Sequence, residues 1–135
     1  MIYGGVNYLG VLVASVAAMA FGAVWYGVLA HPWMDAAGLS DAQIKARDRG
    51  MAPYVVSALA KFVMAFCLAK ILRVLDGVSV GNGIAGALFI FLGFVATTLS
   101  VNHRFQLKPW ALTLIDGGYW LIVLILMGII IGFFG

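Results

Sequence analysis

Four long apolar runs follow one another along the chain, at roughly residues 4–30, 53–75, 80–102 and 110–134. Each is long enough to cross a bilayer, since about 20 apolar residues cover about 30 Å of hydrocarbon. In lipid every backbone polar group must pair within the element, which leaves helices or a closed barrel. Barrel strands would alternate over short segments. These runs are continuous and rich in Leu, Ile, Val and Ala, so the pattern predicts four transmembrane helices. The expected architecture is all-α, a polytopic membrane protein over residues 1–135 as one four-helix domain.

Composition agrees. Hydrophobic residues make up 64% of the chain and charged residues 10%, and mean hydropathy is +1.09. A water-soluble domain of this length could not cover so much apolar surface, so the bilayer is its solvent. Ala18-Met19-Ala20 resembles a signal-peptide cleavage site, but no Lys or Arg precedes it and the run continues through Tyr26, so a retained span is expected. Cys67 stands alone, which rules out an intrachain disulfide or a Cys-based metal site and suggests a small packing residue.

The basic residues cluster in the connections. Lys45, Arg47, Arg49, Arg104 and Lys108 lie in the first and third, against Lys70 and Arg73 beside the second. The positive-inside rule then places the first and third connections in the cytoplasm and both termini outside. The net charge of +3 is read as orientation and lipid contact, not nucleic-acid binding.

Local signals fill in the rest. Gly10, Ala14, Ala18 and Gly22 recur every fourth residue and share one face. Such a ridge lets backbones approach closely, either as an oligomer seam or as packing within one subunit. Trp25, Tyr26, His31 and Trp33 are placed at the interface, with Pro32 stopping helix propagation. Ser40-Asp41-Ala42-Gln43 fits a capping box and predicts a short interfacial helix reaching about Asp48. Pro53 and Pro109 mark the starts of the second and fourth spans. Gly86, Gly93, Thr97, Ser100 and Arg104 fall near one stripe of the third span.

The candidate chemistry is sparse. Lys61 lies eight residues after Pro53, about 12 Å along its helix, and Asp116 seven after Pro109, about 10 Å in. The third span ends in Asn102-His103-Arg104, so these groups share one leaflet. A lone charge there costs about 2.5–3.5 kcal/mol. Pairing of Asp116 with Lys61 or with Arg104 is therefore expected, with Asn102 and Thr97 adding hydrogen bonds. A structural lock and an ion or solute contact both fit; snorkelling of Lys61 toward its helix N-terminus is a further alternative. Neither a catalytic motif nor a diagnostic metal-ligand spacing is found, although His31, His103 and Asp116 fall near one level. No cofactor and no enzymatic activity are expected.

Several motifs recur in order along the chain. They are Asn7-Tyr8-Leu9, Gly22-Ala23-Val24-Trp25-Tyr26, Trp33-Met34, Gly93-Phe94-Val95-Ala96-Thr97-Thr98 with Asn102 and Phe105, Gly117-Gly118-Tyr119-Trp120, and Met127-Gly128-Ile129-Ile130-Ile131-Gly132. Together they resemble small bacterial membrane proteins of domain-of-unknown-function family seventeen sixty-one. The resemblance implies four spans and no particular activity, and marks Asn7, Trp25, Tyr26, Thr97, Thr98, Asn102 and Tyr119 as family-type positions. Two functional expectations follow from the residues themselves. One is an oligomeric transporter or channel-type protein passing an ion or small solute by Lys61, Asn102 and Asp116. The other is a non-transporting module that packs with a partner or with lipids.

Overall fold

The computed structural model describes residues 2–46 and 50–135. It contains four helices long and apolar enough to cross a membrane: Tyr8–Val28 (α1), Ala52–Val74 (α4), Val80–Phe105, and Trp110–Phe134 (α7). The third span is built from Val80–Ile90 (α5), a π-helical turn at Phe91–Val95, and Ala96–Phe105 (α6). Two short helices, Ala30–Ala37 (α2) and Asp41–Ala46 (α3), lie in the first connection. A two-stranded hairpin, Ile2–Tyr3 (β1) with Val6–Asn7 (β2), precedes α1.

The turn and second strand of the hairpin fall inside what the apolar pattern assigned to the first span. Gly4 and Gly5 both have positive φ, 58° and 78°, as the tight turn of a two-residue hairpin requires. The hairpin then feeds directly into α1. Asn7 Oδ1 accepts from the Gly10 amide to cap that helix, and Asn7 Nδ2 donates to the Phe134 carbonyl at 3.1 Å. One side chain thus joins the start of the first span to the end of the last. Asn7→Ala removes a cap and this bridge together, and should lower stability by about 1–2 kcal/mol, read as the melting midpoint in mild detergent.

The starts and stops follow local chemistry. Pro53 occupies the first turn of α4, and Pro109 is the N-cap of α7. Ser79 caps α5 by accepting from the Asn82 amide. The capping box forms as predicted: Gln43 donates its amide to Ser40 Oγ, and the Ser40 amide donates to Gln43 Oε1. The remainder of that expected helix, through Arg47, Asp48 and Arg49, lies outside the described residues. Pro32 does not end helical structure; it sits in the first turn of α2, where its missing N–H costs nothing. Gly38, at φ 74°, closes α2.

α7 is the centre of the bundle, packed against α5 on one side and α1 on the other, with α4 against α1. The main core sits toward the end that carries the termini. There Val11, Ala14 and Ala18 meet Ala65, Leu68, Val123 and Met127, all at or below 1% exposure. The small-residue ridge of α1 is therefore spent inside the chain: Gly10 faces Phe134 and Gly22 faces the Tyr119 hydroxyl. Burial within one subunit, and not an oligomer seam, is the use found for Gly10, Ala14 and Ala18. Cys67, expected to be a packing residue, is exposed on α4.

Toward the other end the bundle loosens. No residue of 52–60 at the start of α4 is buried, and burial in that helix begins at Lys61. α2 covers the first turns of α7 instead, where Ala36 and Ala37 pack with Leu112. Lys108 Nζ fastens it by donating to the Ala37 carbonyl at the end of α2.

Candidate binding site

Where α4 separates from α1 and α7, a cleft of about 590 Å³ opens. Its wall carries Lys61, whose residue is only 3% exposed. The side chain leans toward the helix N-terminus, as a helical lysine does. It does not reach water by snorkelling. Nζ donates to Ser57 Oγ at 2.6 Å, one turn earlier on α4, and the Ser57 hydroxyl contacts Met19 Sδ at 3.5 Å. The ammonium also lies 5.2 Å from the Tyr119 ring centre and 5.1 Å from that of Trp120. Such contacts to aromatic faces soften the burial of a cation but do not neutralise it. Among the described residues no carboxylate lies within ion-pair distance of Lys61.

A second cleft, about 550 Å³, adjoins the first and shares Tyr26, Tyr54 and Trp120 with it. Asp116 lines this one, together with Trp33. The expected ion pair of Asp116 with Lys61 or Arg104 is not formed. Asp116 Oδ1 accepts from the Tyr26 hydroxyl at 2.7 Å, and Oδ2 lies 3.8 Å from His103 Nε2. His103, which the sequence places near the level of Asp116, is the buried member of the Asn102-His103-Arg104 trio. Its Nδ1 lies 2.8 Å from Thr113 Oγ1, which also accepts from Arg104 Nη2 at 2.8 Å. With Arg104 donating, the Thr113 hydroxyl is free to donate to Nδ1, which leaves the ring proton on Nε2 facing Asp116.

Arg104 itself turns to the side. Its guanidinium stacks 3.6 Å above the Trp110 ring, and Nη2 also donates to the Lys108 carbonyl. Nη1 is buried with no hydrogen-bond partner among the described residues. Asn102 and Thr97 do not join the cluster: both are exposed, and Thr97 Oγ1 donates to the Gly93 carbonyl one turn back. Asn102 stands two residues before Arg104, on the far side of the helix from it. For Thr97 the wider turn at Phe91–Val95 matters: it shifts the register, so a position that a regular period would align with Gly86 rotates outward. Gly93 accordingly faces open space while Gly86 rests against Leu72.

The aromatic residues assigned to the interface also turn inward. Trp25 Nε1 donates to the Ile115 carbonyl at 3.1 Å, and its ring covers Gly118. Trp33 meets Tyr26 edge-on at 6.3 Å. His31 alone of this group is exposed. Ser57, Tyr119 and Trp120 were not singled out for the site. Ser57 could have been found from its i, i+4 spacing to Lys61. Tyr26→Phe deletes the hydrogen bond that holds Asp116. It should cost about 1.5 kcal/mol, measured as a melting shift, with helical content by circular dichroism unchanged.

A family described as "Protein of unknown function (DUF1761)" matches residues 9–132. The chain belongs to this family. The match takes in all four spans and both clefts, so the DUF1761 pattern and the site residues coincide in the same segment. No curated protein and no solved structure matches the chain. This DUF1761 chain is thus a four-helix integral membrane protein of a family without an assigned activity.

Proposed function

We propose that the protein is a small-solute carrier of transporter type, whose binding site is the cleft at Lys61 and whose solute presents an anionic group there. The observation that carries this reading is a buried ammonium that no carboxylate among the described residues pairs, on the wall of a ligand-sized cavity. A lone charge at such a position is costly, and proteins normally pair it. An anion entering the cleft supplies the missing partner. Pockets of this size, largely apolar with one or two polar groups, are the usual form of small-molecule sites.

The packed core beyond Lys61 favours a carrier over an open channel. Passage would require the helices to rearrange around the site. The same reading puts the cleft mouth on the cytoplasmic side of a bacterial inner membrane, following the basic connections. The test is direct. Hexanoate, added to the purified protein in mild detergent, should raise the melting midpoint of the wild type and leave Lys61→Met unmoved. Equal shifts in both proteins would remove Lys61 from the site, and no shift in the wild type would sink the anion reading.

A second reading rests on the third span. Of the four it is the least buried, and it presents Thr97 and Asn102 outward amid exposed Phe89, Leu92 and Phe94. Polar side chains on an outer membrane face favour a protein neighbour, so this face suits a partner helix or a second copy. Cross-linking through a cysteine placed at Val101, after Cys67 is replaced by Ser, would capture a dimer through that face. Only monomer in native membranes would count against it.

A further inference from the structure

The second cleft has the chemistry of a cation site. Four aromatic side chains, Tyr26, Trp33, Tyr54 and Trp120, line it, and Asp116 supplies a carboxylate. Tyr26 and Trp33 meet edge-on at 86°, so their ring faces do not cover one another. Several aromatic rings around one cavity, with a carboxylate on the wall, form the arrangement that recognises alkylated ammonium groups: ring faces attract the diffuse charge, and the methyls take the apolar surface. Asp116 has capacity to spare. A carboxylate offers about four acceptor sites. Tyr26 takes one, His103 is too distant at 3.8 Å for a hydrogen bond, and 20% of the Asp116 side chain is exposed.

This cage adjoins the Lys61 cleft through Tyr26, Tyr54 and Trp120. Resting on the anion reading above, we infer that the two clefts form one bipartite site for a zwitterion. Its carboxylate or other anionic group meets Lys61. Its alkylated ammonium, joined by a short aliphatic linker, lies in the aromatic cage against Asp116. Opposite charges at the two ends select against plain anions and plain cations alike.

The probe pair is γ-trimethylammoniobutyrate and its carbon isostere, in which a tert-butyl group stands in place of the trimethylammonium. The two have nearly the same shape and the same carboxylate, and differ in the cationic charge. Titration calorimetry on the purified protein should show the zwitterion binding about tenfold tighter than the isostere. Tyr54 is largely exposed, so Tyr54→Leu should fold normally and reduce that ratio to about threefold. Asp116→Asn should bring it close to one. Lys61→Met should weaken both ligands by the same factor.

Equal affinities in the wild type would overturn the cage while leaving the anion reading intact. Failure of both ligands to bind a folded wild type would remove the anion reading and the zwitterion with it. A tenfold ratio that survives both Tyr54→Leu and Asp116→Asn would also overturn the assignment, since the ammonium would then lie elsewhere.

Discussion

Gly128→Val should leave no folded protein to recover in mild detergent. A Cβ on Gly128 would stand 2.2 Å from the Gly83 carbonyl oxygen and 2.6 Å from its carbon, and one on Gly83 would stand 2.0 Å from the Gly128 oxygen. One turn further along α7, Gly132 has the same relation to Ser79, with the Ser79 oxygen 2.3 Å away. Every atom in these contacts is backbone, so no side chain can swing aside. The helices themselves would have to part. Overpacking in a core costs about 1–3 kcal/mol when side chains can adjust, and separating α5 from α7 forfeits their whole shared contact. In a bilayer, where close packing and not hydrophobicity holds helices together, that contact is the main attraction between them. The expectation is loss of the monodisperse peak in size-exclusion chromatography. Gly93 is the control: it faces open space in the span that carries Gly83, so Gly93→Ala should change stability by less than about 1 kcal/mol. A Gly128→Val protein that melts within a few degrees of wild type would show that α5 and α7 do not cross this closely.

The contrast between those two glycines shows where the sequence stops being informative. Hydropathy places all four spans, because length and apolarity are properties of each segment alone. The capping box at Ser40 and the proline starts at Pro53 and Pro109 are equally local. The N-terminal hairpin was missed although its signal is present: Tyr3-Gly4-Gly5-Val6 is a turn sequence overlooked because it borders an apolar run. The function of each small residue is a property of pairs of helices, and no local pattern separates Gly83 from Gly93. The π turn has the same character. It shifts the register downstream, so Thr97 faces outward, and nothing in Phe91–Val95 announces it. Depth counting put Lys61 and Asp116 near one level, and the structure places them in two adjoining clefts. It could not tell that Tyr26 would hold Asp116 with His103 beside it, because that depends on which way each helix is turned.

Lys61→Met should abolish binding of an anionic ligand while making the empty protein more stable. Both signs come from the same fact. In the wild type an ammonium is buried with one hydrogen bond, to Ser57, and two aromatic faces for company. Methionine has nearly the same length, lacks the charge, and makes favourable contacts with the Tyr119 and Trp120 rings. Replacing buried charge by an apolar residue of similar volume often stabilises a fold by about 1–4 kcal/mol. A gain of about 1–2 kcal/mol is expected here, because aromatic contact already offsets part of the cost. Ligand affinity should move the other way by two orders of magnitude or more, since an anion left unpaired in the cleft loses its charge-assisted contact. A lysine kept only to lock the helices would behave oppositely: its removal would lower the melting midpoint and leave binding untouched. Measuring both quantities on one variant therefore separates the two roles. Stability sacrificed at one position and recovered when that position is neutralised is what a binding site costs the fold that carries it.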